Sequence, residues 1–283
     1  MEETNYSKTI CLRKGGLVLS FLLLFCCSLV KGQVNLVGKP GLIYTPSARE
    51  SPDGQLSFGY NYNPIRYSLR KRGKNPEQIL FANLTFLKRF DINFLLLQSR
   101  ATKTRPVREA IGDRQIDLRY LILKEKANWP SLAVMVSTPF TTDGAMLTHA
   151  LVATKNFQLK TDWILEVSAG YGSPYYLYRD DSNLKNTSVL TNFAWQKKSE
   201  DSYKNMYLEG PFAGVGLHYR NVGGLMAEWD GQQMNIGAYG RIFKRWTVQA
   251  ALLNFDQVSF GTSFAFSLLD PARRIKKQTH ESQ

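Results

Sequence analysis

The chain has little cysteine and no long apolar segment. Its 283 residues contain three cysteines, Cys11, Cys26 and Cys27, so residues 33–283 contain none. An exported protein without cysteine has no disulfide bonds, and its stability must come from burial and backbone pairing. The mean hydropathy of -0.27 excludes a protein built from many membrane-spanning helices. It does not exclude a β-barrel, because barrel strands alternate apolar and polar residues.

Motifs for catalysis, metal binding and phosphate binding are also lacking. The histidines His149, His218 and His280 lie far apart in the sequence, without an acidic residue at metal-ligand spacing. No zinc or other metal site is therefore predicted. The chain has neither a nucleophile elbow nor a glycine-rich loop between a strand and a helix. We predict a protein without catalytic residues and without a cofactor.

The first 32 residues predict a secretion signal. Lys8, Arg13 and Lys14 precede a mostly apolar run of 14 residues, Leu17–Val30. This run is shorter than the roughly 20 residues that a membrane-spanning helix needs. A basic segment followed by a short apolar one is typical of a signal peptide.

Small residues at the end of the apolar run fit a signal peptidase site. Val30 and Gly32 occupy the −3 and −1 positions, so we expect cleavage after Gly32 and a mature chain that begins at Gln33. An uncleaved anchor is one alternative. Lipidation at Cys26 or Cys27 is another, although the residue before each cysteine is not the small one that such sites carry.

The chain is basic. Its net charge is +13, and removal of residues 1–32, with four basic and two acidic side chains, leaves +11. In an exported protein this charge indicates anionic partners such as lipopolysaccharide or acidic exopolysaccharide, and the predicted signal argues against nucleic acid. For any single Lys or Arg, an ordinary solvated surface is the simpler interpretation.

The mature chain repeats apolar residues with a period of two. Such alternation places apolar side chains on one face of a strand, whereas a helix would scatter them. Tight turns between neighbouring segments predict antiparallel pairing. About a dozen strands are predicted: Gln55–Tyr62, Ile79–Leu87, Ile92–Ser99, Arg114–Lys124, Ser131–Pro139, His149–Phe157, Asp162–Gly172, Phe212–Tyr219, Gly224–Trp229, Met234–Ile242, Trp246–Leu253 and Ser259–Leu268.

The chemistry of the two strand faces favours a membrane barrel over a soluble sandwich. The polar face is rich in Gly, Ser, Asn and Gln, and large aromatics lie near strand ends, as in the girdles of transmembrane barrels. These aromatics are Tyr62, Trp129, Trp163, Tyr171, Tyr219, Trp229, Tyr239 and Trp246. We predict an all-β, antiparallel up-and-down transmembrane β-barrel of about 12 strands.

The predicted barrel sets the domain organisation and the roles of several polar residues. We expect a signal peptide at 1–32, a turn-rich lead-in at 33–54, the barrel at 55–269 and a basic, disordered tail at 270–283. Asp117, Arg119 and Glu166 are predicted to line the lumen, and Gly214 and Gly216 to provide packing room there. Residues 173–210 and 101–112 are predicted to be loops, the longer one extracellular.

Two stretches of sequence resemble a known family. GLIYTPSAR (Gly41–Arg49), followed by DGQLSFGY (Asp53–Tyr60), looks like the opening of the YjbH-type exopolysaccharide-associated outer-membrane proteins. The later run Gly214–Phe264 is similar to the paired-strand repeat of that family. Since YjbH-type members are longer, the chain looks like a short form. The resemblance implies a role in making, exporting or anchoring exopolysaccharide at the surface of a Gram-negative cell.

The resemblance also suggests where a glycan could bind. The lead-in could plug the barrel mouth or contact a glycan through Arg49, and a purely structural cap is the alternative. Aromatic residues of the long loop could stack on the apolar faces of sugar rings, although packing within the loop is an equal alternative. These residues are Tyr175, Tyr176, Tyr178, Trp195 and Tyr203.

The sequence is compatible with four functions. The first is a non-enzymatic, exopolysaccharide-linked barrel in the cell outer membrane, and the second is a general porin or small-solute channel. The third is an outer-membrane enzyme, for which Asp117, Glu166 and His218 are the candidate residues. The fourth is a soluble, sugar-binding β-sandwich. The glycan, the direction of transport, the state of the lumen and the oligomeric state stay open.

Overall fold

The computed structural model describes residues 33–70, 73–107, 111–140, 146–179, 192–199 and 204–269. The predicted signal peptide, with Cys26 and Cys27, lies outside the described residues. So do the predicted tail at 270–283 and Tyr203. A 3-10 turn, Ile65–Tyr67, is the helical element of the described chain. In this part of the chain no helix is long and apolar enough to cross a membrane.

Strands dominate the structure, and twelve of them close into one antiparallel barrel. The order around the wall is β1-β14-β13-β12-β11-β10-β7-β6-β5-β4-β3-β2, which then returns to β1. The prediction of an all-β, up-and-down barrel is confirmed. The strand bounds are β1 Gln55–Asn63, β2 Glu77–Phe86, β3 Phe90–Ser99, β4 Asp113–Leu123, β5 Ser131–Ser137, β6 His149–Lys160, β7 Trp163–Gly172, β8 Tyr175–Arg179, β9 Phe193–Lys197, β10 Gly210–Tyr219, β11 Gly223–Trp229, β12 Met234–Ile242, β13 Trp246–Leu253 and β14 Gln257–Ser267.

The two-residue alternation sorts apolar and polar side chains to opposite faces of the wall. On β1 and β14, which pair with Phe58 opposite Phe264, the aromatic side chains point outward. Ser57 and Asn61 point inward and are buried. Because large apolar side chains cover the outside and small or polar ones fill the inside, the outer surface is suited to lipid.

The two ends of the barrel differ in the length of their connections. At the end where β1 begins and β14 stops, here called the near end, strands are joined by short turns at 87–89, 124–130, 161–162, 220–222 and 243–245. At the opposite, far end, the connections include the longer segments 64–76, 100–112, 138–148 and 173–209. Short turns at one end and long loops at the other are typical of outer-membrane barrels.

Two details of the strand predictions are wrong. The segment 173–210 contains a hairpin of β8 and β9, which form a separate two-stranded sheet. Tyr239 is inside the barrel and not in an outer aromatic girdle, because the alternation on β12 places it on the same side as Asn235. Its hydroxyl lies 2.9 Å from Nδ1 of His218, a polar contact that a lipid-facing position could not provide.

A charge placed on the outer face provides a test of the membrane-facing surface. Val215, at the centre of β10, is 42% exposed, and Val222, in a near-end turn, is 56% exposed. Val215→Arg should destabilise the barrel in lipid vesicles by about 2–4 kcal/mol, the cost of an arginine at the bilayer midplane. The matched change Val222→Arg should cost far less. Urea titration of both variants in vesicles measures the difference, and equal costs would contradict a lipid-facing β10.

Candidate functional site: a plugged lumen

Residues 33–49, here called the plug, occupy the inside of the barrel. Every residue from Gln33 to Ala48 is buried. The plug contacts inward-facing side chains on strands from all around the wall: Asn61 of β1, Asn93 of β3, Asp117 and Arg119 of β4, Thr154 of β6, Glu166 of β7 and Glu228 of β11. Contacts that surround a segment in this way place it in the lumen.

The plug folds back on itself through local hydrogen bonds. The side-chain oxygen of Asn35 accepts hydrogen bonds from the backbone N–H groups of Val37 and Lys39, at 3.1 and 2.9 Å. Gly38 has φ +83°, a left-handed conformation that favours glycine. Ser47 N then donates to the carbonyl of Pro40 at 2.8 Å. These bonds satisfy much of the plug backbone without a regular helix or strand.

Glu228 holds the plug from the far end of β11. Its carboxylate accepts hydrogen bonds from three consecutive backbone N–H groups, those of Ile43, Tyr44 and Thr45, at 2.9, 2.7 and 3.0 Å. Glu228 is only 1% exposed. Because a buried N–H group without an acceptor costs free energy, this three-fold contact fixes Ile43, Tyr44 and Thr45 of the plug to β11.

Two ion pairs join plug cations to wall carboxylates. Lys39 Nζ lies 2.7 Å from Asp117 Oδ2, and both side chains are almost fully buried. Arg49 Nη1 lies 3.3 Å from Glu166 Oε2, which is also 3.5 Å from His218 Nε2. A buried charge is stable in the fold only when it is paired, so each plug cation and its wall carboxylate require one another.

Arg119 links the plug to a wall acid. Its guanidinium is paired with Asp91 and also donates to the plug carbonyls of Ser47 and Arg49, the latter two at 3.2 and 2.6 Å. The planar group can serve several acceptors at once because it carries five N–H donors. Arg119 therefore ties β3, β4 and the plug together.

Glycines in the wall make room for the plug. A Cβ atom built on Gly214 would lie 2.4 Å from Leu42 Cδ1, and one on Gly216 would lie 3.0 Å from Leu42 Cδ2. Both glycines face the lumen on β10, and a side chain at position 216 would meet His218 as well, at 2.7 Å from its Nε2. The packing room expected from the sequence is occupied by the plug.

At the far-end opening of the barrel, side chains of the connecting segments pack against plug residues Lys39 and Tyr44. The rings of Tyr44 and Tyr207 pack edge to face with centroids 6.4 Å apart, and Lys39 Nζ lies 5.1 Å from the Tyr207 centroid. Lys198 Nζ donates to the Tyr207 carbonyl at 2.5 Å. Burial lowers the pKa of Lys198 to about 7 and raises the pKa of Asp230, which lies in the same mouth.

The residues predicted to contact a glycan are not gathered in one place. Arg49 lies in the lumen, bound to Glu166 and to the carbonyl of Gln33. On the hairpin, Tyr175 and Trp195 share one face and are 48% and 65% exposed. Tyr176 and Tyr178 are on the opposite face, and Tyr176 is buried. Among the predicted glycan residues that the structure describes, Tyr175 and Trp195 are the most exposed.

The three residues considered for an enzyme do not form one site either. Glu166 and His218 meet, but Asp117 is paired elsewhere, with Lys39. All three are buried beneath the plug or beside it. Among the described residues, no group of three or more His, Cys, Asp or Glu side chains is placed to hold a metal ion. The contact of Glu228 with three N–H groups of the plug was not predicted from the sequence. An acidic residue at an inward-facing strand position nevertheless indicates that a hydrogen-bond or charged partner lies inside the barrel.

The fold and its interior define the chain as a transmembrane-type β-barrel closed by an N-terminal plug. Residues 33–283 match the model of the family described as "YjbH: Exopolysaccharide biosynthesis protein YbjH". The chain belongs to that family, and the resemblance of its opening motif is confirmed. A comparison with curated proteins gives no match. Among solved structures, an outer membrane channel from Pseudomonas putida F1 is similar, with 12% sequence identity and a TM-score of 0.35, over 76% of this chain and 95% of that chain.

Proposed function

We propose that this chain is a non-enzymatic barrel of the Gram-negative outer membrane that serves in the production, export or surface anchoring of exopolysaccharide. Membership of the family described as exopolysaccharide biosynthesis proteins carries the proposal. The apolar outer face and the unequal ends of the barrel support an outer-membrane location, with the near end toward the periplasm and the far end toward the outside. A basic mature chain suits lipopolysaccharide as a neighbour.

The plug favours this role over that of a general porin. A porin needs a lumen that water and solutes can cross, whereas here the plug and the wall side chains around it are buried. The plug also supports a non-enzymatic role, because Asp117, Glu166 and His218 are only 2%, 2% and 7% exposed and so offer little surface to a substrate.

A deletion strain tests the role in the cell. Loss of this chain should reduce the exopolysaccharide that is released or retained at the surface, and the full chain should restore it. A strain with unchanged amount and distribution of polysaccharide would contradict the proposal. Measurement of both cell-bound and released polysaccharide separates anchoring from export.

The hairpin provides the glycan surface in this proposal. Tyr175, Phe193 and Trp195, here called the aromatic face, are exposed on one side of β8 and β9, and the exposed Lys197 is opposite Tyr175. Phe140 packs edge to face on Phe193, with centroids 6.2 Å apart. Exposed rings next to a cation suit a polymer that combines apolar sugar faces with acidic groups.

Two tryptophans at opposite ends of the barrel provide a test of glycan binding by the aromatic face. Trp195→Ala should weaken binding of the cell's own purified acidic exopolysaccharide by roughly 2- to 10-fold, from the about 0.5–1.5 kcal/mol that an aromatic contact contributes. Trp129, in a near-end turn, is 70% exposed, and Trp129→Ala should leave binding unchanged. Fluorescence titration of the purified barrel measures both. Equal affinities for Trp195→Ala and the unmodified chain would exclude the aromatic face as the glycan surface.

A further inference from the structure

The charges that face the lumen are unbalanced. On the described barrel strands, the inward-facing acids are Glu77, Asp91, Asp113, Asp117, Glu166 and Glu228, and the inward-facing bases are Arg119 and Arg241. The chain as a whole is strongly basic, so this acidic interior is opposite in sign to the rest of the molecule.

Three of these acids have partners in the wall or in a far-end loop. Asp91 is paired with Arg119 of the neighbouring strand. Asp113 is paired with Arg70, at 2.7 Å. Glu77 accepts hydrogen bonds from the backbone N–H groups of Leu69 and Arg70 at 2.8 and 2.9 Å. These three contacts do not involve the plug, so displacement of the plug would leave them intact.

The other three acids contact the plug in addition to polar side chains of the wall, which are Gln115 and Ser137 at Asp117, His218 at Glu166 and Asn235 at Glu228. Asp117 is paired with Lys39, and Glu166 with Arg49. Glu228 receives three plug N–H groups. The plug therefore brings two cations and one cluster of backbone donors to three carboxylates on β4, β7 and β11, with two strands between β4 and β7 and one between β7 and β11.

A small cavity beside one of these contacts carries an acceptor without a partner. It is lined in part by Lys39, Asn83, Asn93 and Asp117. Asn93 is 2% exposed, and its side-chain oxygen has no hydrogen-bond partner among the described residues. Asn83, which also lines the cavity, has a buried side-chain nitrogen without a partner among the described residues, so with the plug in place this part of the wall has both an unsatisfied acceptor and an unsatisfied donor.

We propose that the lumen wall forms a path for cations. The plug, which is covalently continuous with the barrel, fills this path, and its Lys39 and Arg49 side chains occupy the places where free cations would bind. When the plug is displaced, Asp117, Glu166 and Glu228 line a polar passage in which the inward-facing acids of the described strands outnumber the inward-facing arginines. Rings of acidic side chains select cations in membrane pores, and they oppose the passage of anions. An acidic polysaccharide would then bind the outer aromatic face but not the lumen, whatever the biological role of the barrel.

The test measures ion selectivity of the full chain in a planar bilayer with a KCl gradient. A release variant, Lys39→Met, Thr45→Pro and Arg49→Met, removes one plug contact at each of the three wall carboxylates and changes nothing on the wall. It should conduct with a several-fold preference for K⁺ over Cl⁻, read from the reversal potential. A matched variant adds Asp117→Asn, Glu166→Gln and Glu228→Gln, and it should conduct with that preference lost.

Several results would overturn the proposal. They are a release variant without selectivity, one that prefers Cl⁻, and a wall-neutralised variant that keeps the K⁺ preference. If the release variant stays closed, deletion of residues 34–49 replaces it, with folding checked by heat-modifiable gel migration. Absence of conductance in both variants also contradicts the proposal.

Discussion

Glu228→Ala is expected to turn a closed barrel into a conducting one. The substitution leaves three backbone N–H groups of the plug, those of Ile43, Tyr44 and Thr45, without their acceptor. Each unsatisfied buried donor costs about 1–3 kcal/mol. Even about 3 kcal/mol in total would raise the fraction of barrels with a displaced plug by roughly 100-fold. Single-channel recordings should show rare or no openings for the unmodified chain and frequent openings for the variant.

Glu77→Ala is the matched control for this experiment. Glu77 is likewise an inward-facing, fully buried glutamate that accepts backbone N–H groups, but they belong to Leu69 and Arg70 of a far-end loop. Its loss should disturb that loop and leave the plug seated, so conductance should stay low. Equal conductance of the two variants, or a silent Glu228→Ala barrel, would show that Glu228 does not hold the plug.

Arg119→Met is expected to produce the largest loss of stability. Asp91, which is 1% exposed, would be left as a buried charge without its partner, and the plug carbonyls of Ser47 and Arg49 would lose a donor. Removing one member of a buried ion pair costs about 3–5 kcal/mol. Urea titration in lipid vesicles should show a correspondingly lower free energy of unfolding.

Two further variants show whether this loss comes from the unpaired charge. The double change Arg119→Met and Asp91→Leu removes both charges and should recover most of the lost stability. The exposed pair of Arg220 and Asp162, 2.9 Å apart in near-end turns, provides the other comparison. Because solvent screens that pair, Arg220→Met should have little effect. A double variant that is no more stable than Arg119→Met would assign the loss to packing and to the plug contacts instead.

The barrel strands could be predicted from the sequence because lipid on one side and a polar lumen on the other impose a two-residue period. The hairpin could not, since Tyr175–Arg179 places apolar or aromatic side chains on both faces and shows no alternation. Tyr239 was assigned to the wrong face because an aromatic residue near a strand end is equally compatible with an outer girdle and with a lumen hydrogen bond to His218.

The site was predictable only in part. Asp117, Arg119 and Glu166 stand at inward positions of a period-two pattern, but no pattern states that Lys39, Arg49 and the plug backbone are their partners. The contacts of Glu228 with the plug span 183–185 residues of sequence, a separation that only the closed barrel brings together. Basic residues in a turn-rich lead-in, together with acids on inward strand positions, are the signal that would have suggested a plug.

Cysteine accessibility tests most directly whether residues 33–49 fill the lumen. Residues 33–283 contain no cysteine, so a single Ser47→Cys substitution introduces the only thiol into that chain. Ser47 is fully buried, whereas Val222 is 56% exposed, and Val222→Cys is the matched control. With a polar maleimide added to the folded protein in detergent, the thiol at position 47 should react far more slowly than that at 222, and both should react equally after heat unfolding. Equal rates in the folded protein would contradict a plugged lumen.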